Sequence, residues 1–154
     1  IFSQTQLNIK NLLSSSPYMT TVGNHDLGNN NYEKYFRTDR YYTFIYGPAQ
    51  FFILDQYVNF ESGSTQYNWF VSELSTSTKT WKVIFFHQPG WSAGTHENNT
   101  TIQNDYEPLF EQYNVKIVFS GHNHYYSRAI VNNYGLDVHT SQLVAEAHLY
   151  IHQI

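Results

Sequence analysis

Three short polar segments carry the residue types that hydrolytic metal sites use. They are Gly23-Asn24-His25-Asp26, His87-Gln88-Pro89 and Gly121-His122-Asn123-His124. Imidazole nitrogens bind first-row cations, and an asparagine amide oxygen is a hard, neutral ligand. Gly23 permits the sharp turn that would aim Asn24. Asp26, beside His25, is placed to accept a ring N–H and fix that histidine's tautomer and orientation. Inside a strand, the spacing of His122 and His124 would send their rings to opposite faces. Past a strand end, in a loop opened by Gly121, both rings can turn toward one centre. A histidine after a strand, taken alone, is more often a hydrogen-bonded structural residue than a ligand, and the His-x-His of residues 122–124 is the stronger signal.

The elements around these segments decide whether they meet. Residues 18–22 form a β-rich run that stops at Gly23, residues 81–86 an apolar run that ends at His87, and residues 116–120 one that ends at Gly121. Residues 41–46 and 51–55 read as two more strands turned by Gly47-Pro48. Tyr32, Tyr35 and Phe36 recur at helical spacing. Tyr67, Phe70, Val71 and Leu74 mark an amphipathic helix over residues 66–74, with Ser64 or Thr65 as its cap. Tyr106, Leu109, Phe110 and Tyr113 mark another, with Pro108 tolerated in its first turn. Alternating strands and helices predict a layered α/β fold. In open α/β sheets the carboxyl ends of the strands line the ligand crevice, so four of the eight histidines fall where a site would be built.

The chain of 154 residues, 41% of them hydrophobic, suffices for one domain with a real core. Only 13% are charged, and the net charge is −4 with no basic run, which argues against nucleic-acid binding. With no cysteine, disulfides, thiolate zinc sites and Cys nucleophiles are excluded. No apolar run approaches the ~20 residues that span a bilayer.

In this order the three segments resemble the calcineurin-like metallophosphoesterase superfamily. The purple acid phosphatase-like branch is matched most closely, through Phe86-His87-Gln88-Pro89-Gly90-Trp91-Ser92 with His96 following, and through Gly121-His122-Asn123-His124-Tyr125-Tyr126-Ser127-Arg128. The resemblance covers residues 18–131. It implies an α/β/β/α sandwich, incomplete here at its N-terminus, with residues 1–154 as the C-terminal portion of one catalytic domain. It also implies roles: Asn24, His87 and His122 holding one metal, His124 its neighbour, and His25, Asp26 and His96 serving catalysis beside the phosphate. The expected cofactors are two metal ions, divalent or of mixed valence, with Fe, Zn and Mn all open. The expected reaction is in-line attack of a metal-bound hydroxide on a small phosphorylated substrate.

Charge counting opposes a complete site. Asn24, His87, His122 and His124 are all neutral, whereas hard cation pairs need carboxylates, one of them bridging. The family draws these from an Asp-x-His and a Gly-Asp motif ahead of Gly-Asn-His, yet residues 1–16 contain no Asp, Glu or His. The expectation is a fragment that is inactive alone. Two alternatives remain: a non-catalytic relative that binds phosphate or a partner, and a mononuclear zinc hydrolase using His87, His122 and His124. His148 and His152 at helical spacing, and His139, read as exposed residues of an irregular terminus. Asn98-Asn99-Thr100-Thr101 contains two overlapping glycosylation sequons. With the low charge, and the likeness to largely secreted phosphatases, the expected location is extracytoplasmic. No membrane partner is expected.

Overall fold

Near-continuous apolar runs suit strands buried on both faces, as parallel strands are. The computed structural model describes residues 14–28, 31–36, 38–92, 94–131 and 138–142, and such runs form the middle of its sheet. Strands β1 (Tyr42–Tyr46), β2 (Ala49–Ile53), β3 (Trp81–Phe85), β4 (Ile117–Ser120), β5 (Ser127–Val131) and β6 (Val138–Gln142) make one six-stranded sheet ordered β1-β2-β3-β4-β6-β5. The pairs β2–β3, β3–β4 and β4–β6 are parallel, and the two edge pairs are antiparallel. The helices are α1 (Asn31–Phe36), α2 (Thr65–Thr76) and α3 (Glu107–Gln112), the last preceded by a π-helical stretch, Ile102–Tyr106.

Alternation sorts the side chains. Phe52, Leu54, Ile84, Phe86 and Val118 pack against Phe70 and Leu74 of α2 and against Ile102, Tyr106, Leu109 and Phe110. The intervening residues Ile53, Val83 and Phe85 form the other face with Phe44, Phe51 and Phe119. There Phe44 stacks on Phe51 at 4.8 Å and Phe85 on Phe119 at 5.0 Å between ring centroids, so an aromatic ladder crosses four strands. Helices thus cover one face, and a second sheet is not found among the described residues.

Ser64 caps α2 by accepting the Tyr67 N–H at 3.1 Å. Residues 18–22 are a correction: they join no ladder, and their extended backbone is held through side chains. Thr20 N–H donates to the Tyr42 hydroxyl and the Thr21 hydroxyl to the Leu54 carbonyl. β5 was not expected from the sequence. His139 belongs to β6, between β4 and β5, and not to an irregular tail. His148 and His152 lie outside the described residues. No helix among the described residues is long and apolar enough to cross a membrane.

Candidate metal centre

The sheet register brings two of the polar segments side by side. Phe85 lies opposite Phe119 in the parallel β3–β4 ladder, and pairing continues beyond the strands. The Phe86 N–H donates to the Phe119 carbonyl at 3.2 Å, and the Gly121 N–H to the His87 carbonyl at 2.9 Å. His87 and His122 therefore leave adjacent strand ends as neighbours. Their rings meet edge to face with centroids 4.9 Å apart, and His87 Nε2 is 3.1 Å from His122 Nδ1.

The third segment arrives through Gly23. A Cβ at this position would stand 3.1 Å from His87 Cε1, so a side chain here would press on the His87 ring. The chain then turns through a single 3₁₀ turn, Asn24–Asp26, which puts Asn24 Oδ1 2.8 Å from His87 Nε2. One nitrogen thus faces two acceptor-type atoms. Donors ~2.1 Å from a common cation and at right angles lie ~3.0 Å apart. The observed 2.8 and 3.1 Å are close to that spacing, so Asn24 and His122 each stand beside His87 Nε2 as neighbouring donors to a shared cation would. Among the described residues no three His, Cys, Asp or Glu side chains are grouped to hold a metal ion by themselves.

Electrostatics keep the His87 ring nitrogen available. Burial, followed by the charges of His122, His25, His96 and His124, pushes the His87 pKa down from 6.5 to about 4. His122 is lowered for the same reasons, burial first. His87 is thus neutral, with a free lone pair, well into the acid range. The unfolded chain takes up this proton near pH 6.5 and the folded one only near pH 4, so stability is full above 6.5 and is lost as pH falls through that interval. Calorimetry of the metal-free protein should show a loss of ~2–3 kcal/mol across this window. His87→Gln should flatten the profile there, and an unchanged profile would remove His87 as the cause.

The other expected residues are placed as follows. The His96 ring lies 3.9 Å, centroid to centroid, from that of His122, although it comes from a loop nine residues past His87. His25 and His124 are exposed, and both lie near enough to depress the pKa of His87. Asp26 has a different partner from the one expected. Its Oδ2 accepts the Gly23 N–H at 2.9 Å while the Asp26 N–H donates to the Gly23 carbonyl at 3.0 Å, so the carboxylate closes the turn that aims Asn24. A short side chain three residues from a free N–H favours this local closure over a neighbouring ring.

Four supports lie outside the sequence reading. The Tyr57 ring packs 6.1 Å from the His87 ring, and burial, with Asp55 adding to it, raises its pKa to about 12. Gln56 pairs through both ends of its amide with the backbone of Gln88, and buried Gln66 does the same with Asp55. Asn123, only 2% exposed, lies between the two histidines of its segment. Buried amides in loops carry no periodicity, so only the burial of Gln66, two residues into a recognisable helix, could have been suspected. Of the two sequons, Asn98 is exposed. Asn99 is engaged at both amide atoms, capping the next helical turn through Ile102 N–H and donating to Gln88.

Comparison with known proteins decides the family. The family model for calcineurin-like phosphoesterases matches residues 2–126. The chain belongs to this family. Within it, purple acid phosphatase 15 of Arabidopsis thaliana is 30% identical over 151 residues, covering 84% of this chain. The chain spans only 28% of that relative's length. Among solved structures, purple acid phosphatase PPD1 from yellow lupin (Lupinus luteus) seeds superposes with a TM-score of 0.60 at 19% identity, over 73% of this chain and 25% of that one. GAP50, described as the anchor in the inner membrane complex of Plasmodium, superposes at 0.65 with 20% identity, over 82% of this chain and 48% of that one. A phosphatase and an anchor share this fold, so the fold alone does not define what the phosphoesterase family member does.

Proposed function

We propose that the chain carries the histidine and asparagine part of a dinuclear centre that hydrolyses small phosphate monoesters. The observation that carries this reading is the approach of Asn24, His87 and His122 to within 2.8 and 3.1 Å, with the His96 ring against His122. Asn24, His87 and His122 would hold one ion and His124 the second, with carboxylates from outside these residues joining them. Bound metals, of which Fe, Zn and Mn suit these donors, supply Lewis-acid charge and an activated water. Within the chain, Gly23 and Asp26 hold the turn that presents Asn24. The low pKa of His87 keeps its nitrogen free for a cation in mildly acidic solution. His25 and His96, beyond the ligand set, face the phosphate, neutralise its growing charge and pass a proton to the leaving oxygen. The exposed sequon at Asn98 and the low charge support an extracytoplasmic location.

The test compares residues 1–154 with the same chain preceded by a segment bearing Asp-x-His and Gly-Asp. Elemental analysis should give about two metals per extended chain, with turnover of a nitrophenyl phosphate. Residues 1–154 alone should bind metal weakly and turn over poorly. Full turnover by the shorter chain would overturn the need for added carboxylates, and none by the metal-loaded longer chain would overturn the activity.

A further inference from the structure

We infer that Asn123 is a positioning residue that locks the His96 loop onto the His122 loop and so sets the distance between the ligand set and the substrate-facing histidine. This rests on the proposed roles of His122 and His96.

A buried amide costs free energy unless both its ends are paired. Asn123 Oδ1 accepts the His96 N–H at 3.3 Å, and its Nδ2 donates to Ser92 Oγ at 2.9 Å. The same Ser92 oxygen accepts the Gly94 N–H at 3.1 Å, and the Ser92 N–H donates to Asn98 Oδ1 at 2.6 Å. One side chain therefore grips the loop at two points, Ser92 and His96, four residues apart. Space agrees with this: a Cβ on Gly94 would fall 2.7 Å from Asn123 Oδ1 and 2.2 Å from Tyr125 Cε1, so the loop lies flat on residues 123 and 125.

The partner loop is fixed in its turn. The Asn123 N–H donates to the Gly121 carbonyl at 2.8 Å and the Tyr125 N–H to the Asn123 carbonyl at 2.9 Å. Between these bonds His122 takes a φ of 69°, a left-handed conformation that a non-glycine residue holds only when its surroundings impose it. Facing one way, Asn123 belongs to the turn that aims His122; facing the other, it holds the backbone of His96. The 3.9 Å ring contact between the two histidines is what this double attachment yields.

The test uses ring–ring nuclear Overhauser effects between His96 and His122 in the full metal-free chain, which report their contact without any activity. Asn123→Ala should abolish the effect. Asn123→Asp should keep it, because the carboxylate still accepts from His96 and the Ser92 hydroxyl can rotate to donate. Ser92→Ala, which leaves Asn123 buried, should weaken it, and it decides the matter if Asn123→Ala fails to fold. In the metal-loaded extended protein, Asn123→Ala should keep its metal content while kcat falls ~10–100-fold, as for losses of groups that orient others, with partial recovery in Asn123→Asp. Persistence of the ring contact in a folded Asn123→Ala chain, or in Ser92→Ala should the former not fold, would overturn the positioning role. Loss of the contact with kcat unchanged would instead uphold it and overturn the assignment of His96 to catalysis.

Discussion

Replacing His122 in the extended, metal-loaded protein is expected to remove metal and turnover together, with kcat/KM down by at least ~10³-fold, because the ions supply both the nucleophile and the charge that stabilises the transition state. His122 shares the contact with His87 Nε2 and the ring contact with His96, so its loss removes a neighbour of His87 and the ring against which His96 packs. The choice of variant matters, since residue 122 sits at φ 69°. Glycine enters that region more readily than alanine and carries no side-chain donor, so His122→Gly preserves the turn while removing the imidazole. Asn24→Ala tests the same set from the other side. It takes away the oxygen 2.8 Å from His87 and leaves the turn closed by Asp26 and Gly23. Both variants should unfold within a few degrees of the parent and both should lose metal by elemental analysis. Normal metal content and turnover in a folded His122→Gly protein would show that the three segments do not form one site.

What the sequence made legible follows from where free energy is periodic. β2, β3 and β4 announce themselves because strands covered on both faces must be apolar throughout, and α2 does so because one stripe must be. Since His87 and His122 follow directly on such runs, their meeting was readable before any coordinate. β5 was hidden because Ser127–Val131 follows the segment at residues 121–124, whose polar residues mask the start of the strand. Residues 18–22 have strand composition, yet their partners are the Tyr42 hydroxyl and the Leu54 carbonyl, a competition between side-chain and ladder pairing that composition does not reveal. The partner of Asp26 was misjudged for a related reason. Sequence adjacency suggested His25, whereas the tight turn at Gly23 offers a closer N–H. Asn123 was invisible as anything but a spacer between two histidines, because its partners, Ser92 and His96, are 31 and 27 residues away.

The His96→Ala protein is expected to keep its metal and lose ~10²–10⁴-fold in turnover, the range for one acid–base group. Its position supports a role outside the ligand set. Its backbone is held by Asn123, its ring lies against that of His122, and it is exposed. A group so placed acts on charge that grows during the reaction, so its removal should lower kcat more than it raises KM. The leaving group separates the two ways in which it can act. Nitrophenolate departs with little need of a proton, whereas an alkoxide needs one in the transition state. If His96 donates that proton, the loss will be larger for an alkyl phosphate than for nitrophenyl phosphate. An equal loss on both would assign it to holding the phosphate, with the proton coming from His25. Unchanged turnover on both would return it to a loop histidine whose contact with His122 serves packing alone, and the catalytic assignment would then rest on the exposed ring of His25.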